Sequence, residues 1–425
     1  MKRKLLYIVL DGLGDRPIKR LDGKTPLEAA RKPHLDSLTP SAALGLVYTV
    51  GKGIAPESDI AVICILGYDA QKYYTGRGPL ESFAEGLEVK DGDLAYRVNF
   101  ATLGQGDDIR DRRVGRNLTT EEATLLAKDI NEKVRLTDAS FRFKNSIGHR
   151  GVLVIRSNKM PLSSEVTNTD PAYGKEGVFG VALTTFENTV KRCEPTPEGR
   201  DLPGAREAAR LTNEFDSASR TVLSKSAVNI KRLKEGKMPG NVILARDGGD
   251  RLPKFPSIRS QFNIAMGCFV EMPVERGIAL LTGMDLVELP LPTGDVSKDY
   301  ALRAQRVIEA LKKYDALYIH IKGPDEPAHD GDYMKKVASV EHIDSFFFGA
   351  LLPRISLRDT IIAVTADHST PCELKAHSDD PVPLLLAGGA IRGDALPSFS
   401  EASCKKGSLG ELMGPDLMKL FIRNL

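Results

Sequence analysis

Neither charge sign predominates in this chain of 425 residues, where 59 Lys and Arg stand against 57 Asp and Glu for a formal net charge of +2. With 41% apolar residues, that balance excludes both a polycationic nucleic-acid binder and an intrinsically disordered chain. Long hydrophobic runs are missing as well. No apolar stretch approaches the roughly 18 residues of a spanning helix. The apolar run 5–10 after Met1-Lys2-Arg3-Lys4 stops at Asp11-Gly12, too soon for the apolar region of a signal peptide. The expectation is a protein neither membrane-embedded nor exported. Cysteine is sparse: Cys64, Cys193, Cys268, Cys372 and Cys404 are odd in number and form no paired motif, which favours a reducing cytoplasm over a disulfide framework. The 38 Gly and 25 Pro fall short of a low-complexity chain, and no internal repeat is present. What is there is an ordinary globular composition, long enough for two or three domains.

Short runs rich in aliphatic and β-branched residues, bounded by Gly, Asp or Pro, fall at residues 4–10, 241–245, 316–321, 360–365 and 382–387. Their unbroken apolar character predicts buried parallel strands. Helix-period stretches at 302–313 and 333–352 lie between them, so the alternation predicts an α/β sandwich with a mostly parallel central sheet. From about 86 to 192 the pattern changes to charged loops, an exposed-looking helix at 119–133 and a strand at 151–155. That segment reads as a smaller domain inserted into the first, which leaves residues 1–85 and 193–425 as one discontinuous main domain. Pro195, Pro197 and Pro203 mark the linker back.

In open α/β sheets, ligands bind beyond the carboxyl ends of the strands. The run 4–10 ends at Asp11. The run 316–321 leads into Lys322-Gly323-Pro324-Asp325 and on to His329, and 360–365 leads into Asp367-His368, with His377 close behind. Each has a plainer reading alone: Asp11-Gly12 as a turn, Asp367-His368 as a cap or loop closure, His329 as a loop histidine, with Pro327 arguing against a regular helical turn there. Their coincidence at three strand ends is the stronger signal, because carboxylates and neutral imidazoles together suit a pair of divalent cations. His320, inside a strand, and His342, inside a helix, receive no role. Tyr73 and Tyr74 are expected to pack.

Ser58 precedes the apolar run 60–66 and so stands at a helix amino terminus, where unpaired N–H groups favour a phosphate. It reads either as an N-cap or as a nucleophile, and as a nucleophile it requires a divalent cation to lower its pKa.

Taken together, Leu10-Asp11-Gly12-Leu13-Gly14-Asp15, Ser58-Asp59, Lys322-Gly323-Pro324-Asp325 with His329-Asp330-Gly331-Asp332, and Asp367-His368-Ser369-Thr370 with His377 resemble the archaeal-type, cofactor-independent phosphoglycerate mutases of the alkaline phosphatase superfamily. Thr75-Gly76-Arg77-Gly78-Pro79-Leu80-Glu81, Asn168-Thr169-Asp170-Pro171 and Arg246-Asp247-Gly248-Gly249-Asp250-Arg251 extend the resemblance over nearly the whole chain. It implies an alkaline-phosphatase-like three-layer sandwich with an inserted α+β lid. It also implies two divalent metal ions, one held by Asp11, Ser58, Asp367 and His368 and the other by Asp325, His329 and His377. Manganese is the first choice, with cobalt, zinc or magnesium as alternatives. Ser58 would accept the phosphoryl group while 3-phosphoglycerate and 2-phosphoglycerate are interconverted, as in glycolysis and gluconeogenesis, without bisphosphoglycerate. The implied partner is this small-molecule substrate, with no nucleic acid and no membrane; homo-oligomerisation stays open. Glu57, Ile60 and Phe346-Phe347-Phe348 match no family pattern and are expected to touch no ligand.

A phosphoserine that met bulk water would hydrolyse, so the insertion 86–192 is expected to enclose the substrate while it turns. Candidates for holding its carboxylate and phosphate are Arg113, Arg116 and Arg150 in the insertion and Arg246 in the main domain, each of them otherwise a surface charge or an ion-pair member. Lys322 would add positive charge beside the metals. Two rival readings stand beside this one. If water attacks the phosphoserine, the protein is a phosphomonoesterase, with other phosphomutases of the superfamily as variants. A scaffold that had lost activity would show a gap in the ligand set, and none is seen.

Overall fold

The computed structural model describes residues 3–176, 179–183 and 185–425. The chain forms two compact units, Met1–Tyr73 with Phe255–Leu425, and Tyr74–Lys254. It begins with β1 (Lys4–Leu10) and β2 (Ala42–Tyr48). The second unit carries β3 (Leu94–Leu103), β4 (Ile109–Asp111), β5 (Ala139–Asn145), β6 (Arg150–Ser157), β7 (Tyr173–Glu176), β8 (Phe179–Ala182) and β9 (Val242–Gly249). The first unit then resumes with β10 (Met266–Phe269), β11 (Asp285–Leu286), β12 (Ala316–Ile321), β13 (Thr360–Thr365), β14 (Val382–Ala387) and β15 (Gly410–Met413).

The first unit is built on an eight-stranded sheet in the order β11-β10-β12-β1-β13-β14-β2-β15. Every residue of β12, β13 and β14 is buried, as expected of strands covered on both faces. The sheet is mostly parallel, but β14 runs antiparallel to both β13 and β2, which corrects the parallel direction expected for 382–387. An apolar run specifies burial on both faces and carries no information about direction. The register sets Leu10 beside Ile321 and Val9 beside Thr365. The carboxyl ends of β12, β1 and β13 therefore open side by side, and the segments after them start from one edge. The stretch expected as one helix over 333–352 is an α-helix, Tyr333–His342, continued by a π-helical turn, Ile343–Phe348, that buries Phe347 and Phe348.

The second unit is an antiparallel sheet in which β3 pairs with β4, β6 and β9. Leu94, Tyr96, Val98 and Phe100 alternate along β3 into a core shared with Leu126 and Ile130 of the helix Thr120–Lys133 and Leu211 and Phe215 of the helix Pro203–Ser224. The first of these helices, expected to be exposed, buries one face, and Thr119 and Glu122 form its capping box. The strand expected at 241–245 falls in β9 of this sheet, from Val242 on, and not in the central one. With 193–254 in it, this unit extends well past the expected 86–192. The proline-rich stretch leads into Pro203–Ser224, which packs here, and β9 is hydrogen-bonded to β3.

Candidate active site

Four loops of the first unit bring the predicted acidic and imidazole residues together. Asp11 leaves β1 with its N–H on Ile321 O. Gly12 follows at φ 62°, and a Cβ there would lie 2.6 Å from Asp325 Oδ1, so only glycine fits this approach. Its N–H donates to Asp367 Oδ1 at 3.1 Å. Ser58 is the first residue of the helix Ser58–Ile65, after Glu57, which holds the N-cap position without a side-chain capping bond. Its Oγ lies 3.1 Å from His368 Nε2. The N-cap alternative is thereby set aside. His368 Nε2 is also 3.2 Å from Asp367 Oδ2 and 3.4 Å from Asp11 Oδ1.

Asp325, His329 and His377 form a second cluster. Asp325 Oδ2 is 3.4 Å from His329 Nε2, and Oδ1 is 3.7 Å from His377 Nε2. Contrary to expectation, Asp325–Asp330 is a short helix. Pro327 stands in its first turn, where a missing N–H breaks no intrahelical bond. The helix carries Asp325 and His329 on one face, four residues apart. The His368 and His377 rings stack at 3.7 Å, joining the two clusters. Glu57, expected to touch no ligand, has Oε1 4.0 Å from His377 Nδ1.

The donor chemistry fits divalent cations. His329 Nδ1 is 3.0 Å from Lys375 O and His377 Nδ1 is 2.8 Å from Pro56 O. A carbonyl only accepts, so both neutral rings carry the proton at Nδ1 and leave a lone pair at Nε2. Those two Nε2 atoms face each other at 3.2 Å. Asp11 Oδ1 and Asp367 Oδ2 are buried without a hydrogen-bond partner. Ligand atoms of Asp11, His320 and Asp367, and of Asp325, His368 and His377, fall in two groups compact enough for one ion each; this sets His368 with the second group, unlike the expected ligand set, although its Nε2 also reaches Asp11 and Asp367. Burial, then the Asp367 charge, pushes the Asp11 carboxyl well above the usual range despite Lys322. Burial opposes protonation of His368, but Asp367 outweighs it and raises the ring to about 9. His377 is lowered to about 4 by burial and the neighbouring His368. Negative charge in excess of its local compensation is what a bound cation would relieve.

Four residues without an expected role belong to this site. His320 lies inside β12 with Nε2 3.8 Å from Asp367 Oδ2 and 3.9 Å from Glu275 Oε1. Its signal was the two-residue period that puts it on the same side as Lys322. Lys322 Nζ pairs with Asp11 Oδ2 and, at 2.8 Å, with Glu275 Oε1. Glu275, on the helix Pro273–Leu281, carries no sequence signal beyond a helix start, and neither does Lys336, whose partners are all remote in the chain, nor Thr370, which joins nearby His368 to remote Asp325.

The second unit gathers the predicted arginines. The β3–β9 register sets Arg97 opposite Arg246, and the β3–β6 register sets Asn99 opposite Arg150, so Arg97, Arg246 and Arg150 share one face. The helix Arg77–Ala84 packs on β3, with Glu81 2.6 Å from Arg77 and 3.5 Å from Arg97. Arg246 pairs with fully buried Asp170 at 3.0 Å and lies 4.5 Å over the Tyr173 ring; Arg112 pairs with the same Asp170. Arg113 and Arg116 flank Val114 and Gly115, and Val114, Gly115 and Arg116 all have positive φ, while Asp111 Oδ1 accepts from the Arg113 and Gly115 N–H groups. Burial, followed by Arg150, Arg113, Arg246 and Arg116, holds His149 down at about 4. All four expected arginines therefore act on one histidine. Arg246 belongs to this unit and not, as expected, to the main domain, and Arg77 and Arg97 are additions. Tyr73 packs on Tyr68 and Phe255, and Tyr74 on Phe179, as expected.

The family described as 2,3-bisphosphoglycerate-independent phosphoglycerate mutase matches residues 40–229. The chain is 44% identical over 418 residues to the 2,3-bisphosphoglycerate-independent phosphoglycerate mutase of Aeropyrum pernix, covering 97% of this chain and 96% of that protein. It is 39% identical to that of Thermococcus kodakarensis, over 99% of this chain and 97% of the other. Among solved structures, a Pyrococcus horikoshii protein superposes with a TM-score of 0.79 at 31% identity, covering 100% of this chain and 98% of its own. The cofactor-independent phosphoglycerate mutase of Thermoplasma acidophilum does so with 0.64 at 29% identity, covering 99% and 100%.

Proposed function

This chain belongs to the 2,3-bisphosphoglycerate-independent phosphoglycerate mutases and interconverts 3-phosphoglycerate and 2-phosphoglycerate; from that premise we propose that Ser58 is the phosphoryl acceptor and that the two acidic and imidazole clusters hold its metals. What carries this reading is the Ser58 hydroxyl 3.1 Å from His368 Nε2, among the partnerless oxygens of Asp11 and Asp367. Asp11, Ser58, Asp367 and His368 would hold one divalent ion and Asp325, His329 and His377 the other, with manganese first and cobalt, zinc or magnesium as alternatives. Such ions lower a hydroxyl pKa and neutralise phosphoryl oxygens.

The chain's own residues account for the rest. Ser58 Oγ bonds to phosphorus as the bond from phosphorus to the C3 oxygen of glycerate breaks. The proton Ser58 gives up equals the one the departing hydroxyl takes. The C2 oxygen then takes the phosphoryl group back, and Ser58 recovers its proton. Lys322, held by Asp11 and Glu275, supplies fixed positive charge beside the reacting group. Arg113, Arg116, Arg150 and Arg246 hold the carboxylate and phosphate; the left-handed backbone at 114–116, costly for non-glycine residues, supports a functional loop.

No helix among the described residues is long and apolar enough to cross a membrane. All five cysteines are buried and free, which supports a cytoplasmic enzyme. The test is incubation with 3-phosphoglycerate and manganese. The expected product is 2-phosphoglycerate, and dominant release of inorganic phosphate would overturn the retention of the phosphoryl group on Ser58.

A further inference from the structure

One hydroxyl bridges the two ligand clusters. Thr370 Oγ1 lies 2.8 Å from Asp325 Oδ1 and 3.0 Å from His368 Nδ1, at a residue with no exposed surface. A hydroxyl has a single proton to donate, and a carboxylate can only accept. Thr370 therefore donates to Asp325 and accepts, at its own lone pair, from His368 Nδ1. In the neutral ring that ligation of a metal requires, His368 carries its proton at Nδ1, and Nε2 presents its lone pair toward Ser58 Oγ and Asp367 Oδ2.

We infer that Thr370 is a positioning residue that fixes the tautomer of His368 and aims the Asp325 carboxylate, so that one side chain orders a ligand of each metal position. The inference rests on the proposed ligand roles of His368 and Asp325. His329 and His377 are oriented in the same sense by backbone carbonyls, of Lys375 and Pro56. Of the three proposed histidine ligands, His368 is the one whose orienting acceptor is a side chain, so its tautomer can be altered by substitution. The hydroxyl is held on a braced loop: Thr370 N–H donates to Gly14 O at 3.0 Å, and Thr370 O accepts from Lys336 Nζ at 2.9 Å. A plain packing role predicts that valine, which matches threonine in shape, would replace it without consequence. A positioning role predicts the opposite, since partners of this kind typically contribute 10–100-fold to metal affinity.

The test uses the full chain stripped by chelation and titrated calorimetrically with manganese. Thr370→Val is expected to bind about 10–100-fold more weakly than the unaltered chain, and Thr370→Ser to bind within about threefold of it. In the zinc-loaded protein, ¹⁵N spectra of the imidazoles are expected to show His368 protonated at Nδ1, a reading that needs no variant to fold. Wild-type affinity in Thr370→Val, or a proton on His368 Nε2, would overturn the inference. Asp325→Asn, titrated alongside, separates the two levels. If it too binds normally, the ligand reading has failed; if it loses affinity while Thr370→Val does not, only the role of Thr370 has.

Discussion

Lys336 and Asp15 form an ion pair, Nζ to Oδ2 at 2.9 Å, on a lysine side chain with no exposed surface. The remaining donors of the ammonium go to Gly14 O at 3.0 Å and Thr370 O at 2.9 Å, so one cation ties the loop after Asp11 to the loop after Asp367. Removing it would leave Asp15 charged and buried, although Arg16 N–H and Cys372 N–H still reach its carboxylate.

Lys336→Met is therefore expected to lower unfolding free energy by about 3–5 kcal/mol, read from urea denaturation. Turnover should fall as the two loops lose their common anchor. An unchanged urea midpoint would show that backbone pairing between the loops suffices without the lysine.

Ser58→Ala removes the proposed acceptor while leaving the apolar helix behind it intact. Turnover should drop by about 10⁴-fold or more. Intact-protein mass spectrometry after mixing with 3-phosphoglycerate should detect a phosphorylated species in the unaltered chain and none in the variant. Manganese should bind more weakly at one of two positions. Full mutase activity in Ser58→Ala would exclude a phosphoserine intermediate.

The strands that carry the site were legible because they are buried on both faces: 4–10, 316–321 and 360–365 coincide with β1, β12 and β13. Burial alone does not encode direction or sheet membership, so the antiparallel sense of β14 and the transfer of 241–245 to the second sheet came only with the structure. The helix Asp325–Asp330 was hidden by Pro327, whose effect depends on its place within the turn. Residues at strand ends were found because topology delivers them. Glu275 and Lys336 were not, since each acts through contacts between segments far apart in the chain; Thr370 sits two residues from His368, but only its contact with remote Asp325 gives it a role, and His320 was masked by an apolar strand.

Glu401 gives a pH dependence distinct from the metal ligands. Burial raises its carboxyl to about 7, against the opposing hydrogen bond from Thr25 and the charge of Lys336, with Glu28 adding to the rise. The folded chain thus holds a proton that the unfolded chain, at about 4.5, has released. Its contribution to stability is complete below about 4.5 and disappears as pH climbs through 7. Between pH 4.5 and 8 the unaltered chain should lose up to about 3 kcal/mol through this group. Glu401→Gln, which keeps the Thr25 contact without a titrating proton, should flatten that slope in urea titrations. Parallel slopes for the two proteins would mean the carboxyl is ionised throughout.

The arginine cluster separates binding from stability. Arg246 compensates fully buried Asp170, with Arg112 as the second partner, so Arg246→Met should destabilise by about 1–3 kcal/mol as well as impair binding. Among the described residues Arg150 makes no ion pair, so its guanidinium is available to an anion. Arg150→Met should raise KM for 3-phosphoglycerate about 10–100-fold, the loss of one charge-assisted hydrogen bond, and leave the urea midpoint in place. His149 reports the same change independently. Burial and then Arg150 lead the effects that hold it at about 4, so deleting that cation should move its NMR titration upward, toward 6.5. If KM and the His149 titration both stay put, Arg150 faces neither the substrate nor the histidine, and the anion-holding role passes to Arg113 and Arg116.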